Sequence, residues 1–144
     1  MSFIEFKDVV KRYIVGEQEI YAVNGVTFHI EQGEFCVIVG SSGAGKTTIL
    51  NMLGGMDGCT SGTITLDGRE VSAFTPRQLT EYRRYDVGFV FQSVALIPMM
   101  TAYENVEFAL RLAGIRENRK ERAEECLKMV GLGGRIKHMP AEMS

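Results

Sequence analysis

A chain of 144 residues is the size of one domain, or of a small domain with a lobe attached. Hydrophobic residues at 45% and charged residues at 24% are enough to build a buried core and argue against disorder. A net charge of -2 lacks the basic excess that a nucleic-acid binder carries. The three cysteines, Cys36, Cys59 and Cys126, have spacings that suit neither a disulfide framework nor a zinc site. Reduced thiols are expected, with Cys36 a small buried hydrophobe inside its apolar run. Met1 to Val10 holds Glu5, Lys7 and Asp8 and no apolar signal region, and no apolar stretch is long enough to cross a bilayer. A soluble protein is expected.

In chain order, Ile4, Phe6 and Val9 predict a short opening strand. Ile20 to Ile30 sets Val26, Phe28 and Ile30 on one face at period two, with a hairpin turn at Gly16-Glu17-Gln18 between the two. Gln32-Gly33 turns the chain into Phe35-Cys36-Val37-Ile38-Val39, an unbroken apolar run of the kind found in strands covered on both faces. A helix starting near Gly45 carries Ile49, Leu50 and Leu53 and stops at Gly54-Gly55. Thr63 to Leu66 alternates as a strand and Asp67-Gly68 signals a turn. Thr75-Pro76-Arg77-Gln78 offers an N-cap, a proline at the first helical position and a capping-box partner for a helix to about Tyr85.

Val87 to Phe91 predicts a second apolar strand. Thr101 with Glu104 caps a helix bearing Val106, Ala109, Leu110 and Ala113, stopped by Gly114. A last helix, about Glu117 to Val130, aligns Ala123, Leu127 and Val130 before Gly131. This order predicts an α/β core with an antiparallel β flap and a helical lobe.

The chemistry lies in Gly40-Ser41-Ser42-Gly43-Ala44-Gly45-Lys46-Thr47. Glycines at these spacings let the backbone curl so that successive N–H groups face one centre. The helix that follows adds unpaired amides and the positive end of its dipole. Lys46 can reach the β- and γ-phosphates of a nucleoside triphosphate, Thr47 can ligate Mg2+, and Thr48 can bond the α-phosphate. The motif follows an apolar strand and opens a helix, as a P-loop requires, and ATP with Mg2+ is the expected ligand. Glu104 reads as a helix cap rather than a ligand, and neither His29 nor His138 has a ligand-spaced partner.

More than thirty residues of β-patterned chain precede the loop, unlike the usual layout of nucleoside kinases and small GTPases. With that order, the whole chain resembles the ATP-binding subunit of an ATP-binding-cassette (ABC) transporter. Lys11-Arg12-Tyr13 is similar to the A-loop, Thr60 to Gly68 to the strand and turn after the P-loop helix, and Val87 to Gln92 to the strand leading into the Q-loop. Leu96 to Val106 is similar to the entry into the helical subdomain. Gly33-Glu34-Phe35, Asn51 to Asp57 and Arg83-Arg84 through Gln92 resemble the branch serving lipoprotein-releasing, macrolide-exporting and cell-division-type permeases.

The resemblance implies a RecA-like P-loop NTPase core with an antiparallel β subdomain over residues 1–92, and the start of an α-helical subdomain over 93–144. It also implies that Tyr13 stacks on adenine and Gln92 touches the magnesium or its water. A membrane permease and a second copy of the full-length ATPase are the implied partners, with the protein peripheral on the cytoplasmic face. The run Val94 to Met100 is read either as local core or as part of the groove that receives the permease.

Met143-Ser144 resembles the beginning of the signature segment. By that likeness the chain stops before the Walker B strand, the catalytic glutamate and the switch histidine. The expectation is a piece that holds nucleotide weakly and turns it over negligibly, within a parent ATPase that drives a permease. Other readings are a regulatory or mechanotransmission ATPase acting on a membrane partner without solute transport, a soluble ABC-type protein of DNA repair or translation, and a P-loop kinase.

Overall fold

The β-patterned first third folds into one long antiparallel hairpin, β1 (Ser2–Val15) and β2 (Gln18–Glu31), turned at Gly16-Glu17. The computed structural model describes residues 2–93 and 95–143, and the chain divides into two compact units, Met1–Gly88 and Phe89–Ser144. In the first unit, β3 (Ser61–Leu66) pairs with the free side of β1 and continues into β4 (Arg69–Glu70), giving the order β2-β1-β3-β4. The Asp67-Gly68 turn that joins β3 to β4 has positive φ at both residues, 48° and 72°, as a two-residue hairpin of matching twist demands.

Register explains which side chains turn inward. Phe6 lies opposite Phe28 on one side and Ile64 on the other, and the two rings stack with centroids 4.5 Å apart. Val26, Phe28 and Ile30 share the inward face as their spacing predicts. Val23 is also buried, which strict alternation from Val26 forbids. The pairing slips between Val9↔Val26 and Lys11↔Val23, and that irregularity exchanges the two faces. A second slip between Phe6 and Val9 puts Asp8 at φ 49°, its amide donating to the Thr27 hydroxyl at 2.9 Å. Only glycine fits beside it, since a Cβ on Gly62 would run into the Asp8 carbonyl and lie 2.6 Å from Val9 Cα.

The sheet is covered by helix α1 (Lys46–Leu53), which buries Ile49 and Met52, and by α2 (Pro76–Tyr85), which buries Tyr82. Leu50, predicted on the apolar face of α1, is exposed, and Met52 takes the inward place. Fully burying a side chain such as Phe6 or Met52 is worth about 1.5–3 kcal/mol, so this cluster is what holds the helices to the sheet. Helix α2 starts as its sequence predicts, with Thr75 and Gln78 capping each other and Pro76 in the first turn. It then pins the end of α1: the Tyr82 hydroxyl donates to the Leu53 carbonyl at 2.7 Å, and Arg83 donates to the Gly55 carbonyl at 2.5 Å.

Two predicted strands do not form. Among the described residues, neither Phe35–Val39 nor Val87–Phe91 belongs to a ladder, and the only sheet is antiparallel. Phe35, Val37 and Val39 are 91%, 64% and 84% exposed, and Val90 is 96% exposed, whereas Ile38 and Val87 still pack on the core. A strand needs a second backbone to bond, and neither run lies in register with one. For the same reason Cys36, predicted buried, is exposed; with Cys59 and Cys126 it is a free thiol.

In the second unit, α3 (Ala102–Leu112) and α4 (Arg119–Met129) pack on each other around Ala102, Ala123 and Leu127. The Thr101–Glu104 capping box forms as predicted, and Glu104 is held below the usual carboxylate range by the Thr101 amide and hydroxyl. The first-turn amides of Ala102 and Tyr103 find further acceptors in the carbonyls of His138 and Ile136, both at 2.9 Å. Val130, predicted on the buried stripe of α4, lies past the helix end and is exposed. Of the run 94–100, Val94 is outside the described residues; Leu96, Ile97 and Met99 are exposed, which does not fit a core role. Asn105 ties that run to α3, accepting from the Ile97 amide and donating to the Ile97, Met100 and Thr101 carbonyls.

Candidate functional site

The loop from Gly40 to Gly45 crosses from the exposed run into α1 and is shaped by close backbone approaches. Gly43 and Gly45 sit at φ 79° and 86°, where side chains are strained. A Cβ on Gly45 would collide with the Ala22 carbonyl of β2, so the loop is packed against that strand. A Cβ on Gly40 would come 3.1 Å from Ala44 Cβ, which brings the two ends of the loop together. The Ala44 amide donates to the Ser41 carbonyl at 3.2 Å and closes the turn.

Helix α1 begins differently from α2 and α3. It has no side-chain cap, and its first helical bond runs from the Ile49 amide to the Gly45 carbonyl. Among the described residues no acceptor serves the amides of Lys46, Thr47 and Thr48. Three first-turn donors and the positive end of the helix are thus left for an anion. The Lys46 ammonium folds across the loop and donates to the Gly40 carbonyl at 2.9 Å and the Ser41 carbonyl at 2.6 Å. The Thr47 side chain is exposed beside it. Among the described residues no group of three or more His, Cys, Asp or Glu side chains converges on a point.

Tyr13 stands in β1, 39% exposed. Its hydroxyl donates to Asp57 Oδ2 at 2.8 Å, while Lys11 Nζ donates to Asp57 Oδ1 at 2.6 Å and to the Gly58 carbonyl at 2.7 Å. The same ammonium lies 4.9 Å from the centre of the Tyr13 ring, on one of its faces. The phenol is pushed up by burial first, then by the hydrogen bond to Asp57 and its charge, with a hydrogen bond to Thr48 acting the other way. Tyr13 is thereby within reach of the P-loop helix. Burial would raise Asp57, but its bonds to Lys11 and Tyr13 outweigh that and its carboxyl is lowered.

Of the residues singled out in the sequence, Gly40, Ser41, Ser42, Gly43, Ala44, Gly45, Lys46, Thr47, Thr48 and Tyr13 all lie in the first unit. Gln92 lies in the second, exposed at a bend after Phe91. Asp57 was not singled out. Its partners are 46 and 44 positions away, and the available signal was only that Lys11 and Tyr13, two apart, share a strand face.

A family model described as ABC transporter matches residues 23–144. An uncharacterised ABC transporter ATP-binding protein of Thermotoga maritima is 44% identical over 98% of the chain, which spans 61% of that relative. The macrolide export ATP-binding/permease protein MacB of Rhodopirellula baltica is 41% identical, and the chain spans 21% of it. Among solved structures, the dimeric ABC transporter cassette MJ0796 superposes with a TM-score of 0.90 at 41% identity, over 98% of this chain and 63% of that one. MJ0796 is from Methanocaldococcus jannaschii. A post-hydrolysis dimer of the same cassette, bound to ADP and Pi, gives 0.89 at 40% identity.

Proposed function

The chain belongs to the ABC transporter family and has the α/β fold of the P-loop NTPases, and from that premise we propose that it seats ATP with Mg2+ as the nucleotide-binding portion of a transporter ATPase. The observation that carries this reading is the uncapped start of α1 beneath a curled glycine loop, with Lys46 lying across it. Free amides, a helix dipole and an ammonium converge there, and a polyphosphate is the ligand that can use all three.

The residues present suit such a ligand. The Lys46, Thr47 and Thr48 amides would hold phosphate oxygens, and the Lys46 ammonium would exchange two carbonyl partners for the outer phosphates. Mg2+ would be held mainly by phosphates and water, with the Thr47 hydroxyl as a protein ligand. The exposed ring of Tyr13 would take the adenine face. Bound ATP supplies the free energy that the whole ATPase spends on conformational change; these residues bind and orient it.

Partners and place in the cell follow from the same reading. The relatives include a macrolide export ATP-binding/permease protein and a dimeric cassette. A permease subunit and a second copy of the full-length ATPase are the proposed partners, with the assembly on the cytoplasmic face of a membrane. Leu96, Ile97 and Met99 form an exposed apolar segment held by Asn105, suited to a permease contact. No described helix is long and apolar enough to cross a membrane.

Calorimetric titration with Mg-ATP tests the reading. We expect binding by the 144-residue chain and at least about a tenfold loss for Lys46→Ala, since a charge-assisted contact to phosphate is worth about 1.5–3 kcal/mol. A folded chain that takes up no Mg-ATP removes the proposal.

A further inference from the structure

Beyond the loop itself, we infer that Asp57 is a positioning residue for nucleotide: with Lys11 it fixes the ring of Tyr13 so that one face is presented to the base. The inference rests on the ATP-binding reading and adds to it a residue and a direction. Its basis is geometric. The two carboxylate oxygens of Asp57 are divided, Oδ1 to the Lys11 ammonium and Oδ2 to the Tyr13 hydroxyl. A phenol held at its hydroxyl can no longer swing freely about its side-chain torsions, which removes much of the entropy that stacking would otherwise cost.

The carboxylate is itself held in place. The amides of Met56 and Asp57 donate to the Asn51 carbonyl at 2.8 and 3.2 Å, and the Gly58 amide donates to Asp57 Oδ1 at 2.8 Å. Two residues on, the Thr60 amide donates to the Val10 carbonyl at 2.7 Å, and the Thr60 hydroxyl accepts from the Arg12 amide at 2.9 Å. The segment that follows α1 is thus joined both to that helix and to the strand bearing Tyr13. A rigid chain of bonds runs from the P-loop helix to the ring.

Lys11 does two things in this arrangement. It neutralises Asp57, with its own side chain only 13% exposed, and it covers one face of the Tyr13 ring at 4.9 Å. The base is left the opposite face. A cation on the covered face draws electron density through the ring, which favours stacking of an electron-rich purine on the open one.

The test compares Mg-ATP with Mg-tripolyphosphate, which has the phosphates and no base, on the whole 144-residue chain. We expect Asp57→Ala to weaken Mg-ATP about tenfold, the scale of one lost base–aromatic stack, and to leave Mg-tripolyphosphate unchanged. In a Tyr13→Leu background the same substitution should add nothing. Asp57→Asn keeps an acceptor for the phenol and should retain Mg-ATP affinity, which guards against a misfolded alanine variant. The chain has no tryptophan and five tyrosines, so the share of tyrosine emission and of its quenching by Mg-ATP that Tyr13→Leu removes belongs to this ring, and that share of the quenching should shrink in Asp57→Ala.

Equal weakening of both ligands, full Mg-ATP affinity in Asp57→Ala, or an undiminished effect without Tyr13 each overturns the inference while leaving the ATP reading intact. A wild-type chain that holds neither ligand overturns both.

Discussion

A side chain at position 45 has nowhere to go. The backbone there has φ 86°, and a Cβ would strike the Ala22 carbonyl. The conformation alone costs a non-glycine residue about 1–2 kcal/mol, and the collision adds to it. We expect Gly45→Ala to lower the urea midpoint and to weaken Mg-ATP as β2 and the loop move apart. Asp57 sets a pH dependence of definite sign. Its folded carboxyl is lowered by Lys11 and Tyr13, against the effect of burial, so the ionised form stabilises the fold. That contribution is complete above the ordinary aspartate range, about 4, and is lost as pH falls below it. Wild type should therefore melt above Asp57→Asn at pH 7, and the gap should close in acid.

At this scale the sequence was legible where the chemistry is local. Gly43, Gly45 and Lys46 announce the loop by spacing alone. The bond from Tyr13 to Asp57 spans 44 positions and joins a strand to a loop. Nothing in either neighbourhood marks it, because the meeting depends on how β1 packs beside the segment that follows α1.

Among the elements, helix starts were the most readable features. Thr75 with Gln78 and Thr101 with Glu104 each form both bonds of a capping box. Such a box is written within four residues and needs no distant partner. Thr75→Ala should cost about 1 kcal/mol in urea unfolding. Tyr82→Phe should cost a similar amount, about 1 kcal/mol, because the Leu53 carbonyl at the end of α1 loses its donor. The apolar runs Phe35–Val39 and Val87–Phe91 read as strands with equal clarity and are not strands. Hydrophobicity reports a wish for burial, whereas a ladder needs a second backbone. The slip between Val9 and Lys11 was hidden for a related reason, since a bulge is agreed between two strands.

For the molecule as a whole, the run Phe35–Val39 is the exposed liability. Three large apolar side chains on one short backbone with open hydrogen-bonding groups form a template for another chain. We expect concentration-dependent self-association by light scattering, and its reduction in a Phe35→Lys, Val37→Lys double variant, which places charges on that edge. Unchanged scattering in the variant would locate association elsewhere.

That run ends at Val39, and the nucleotide seat begins at the very next residue. Whatever grips Gly40 also restrains the backbone just upstream, and whatever bonds alongside Phe35 to Val39 restrains the loop. Ordering one stretch lowers the cost of ordering the next, and thermodynamic reciprocity makes the two effects one common factor. Added Mg-ATP should shift the scattering onset to lower protein concentration, so that a phosphate ligand would be sensed, through a single peptide unit, as a change in how readily the neighbouring edge recruits a companion.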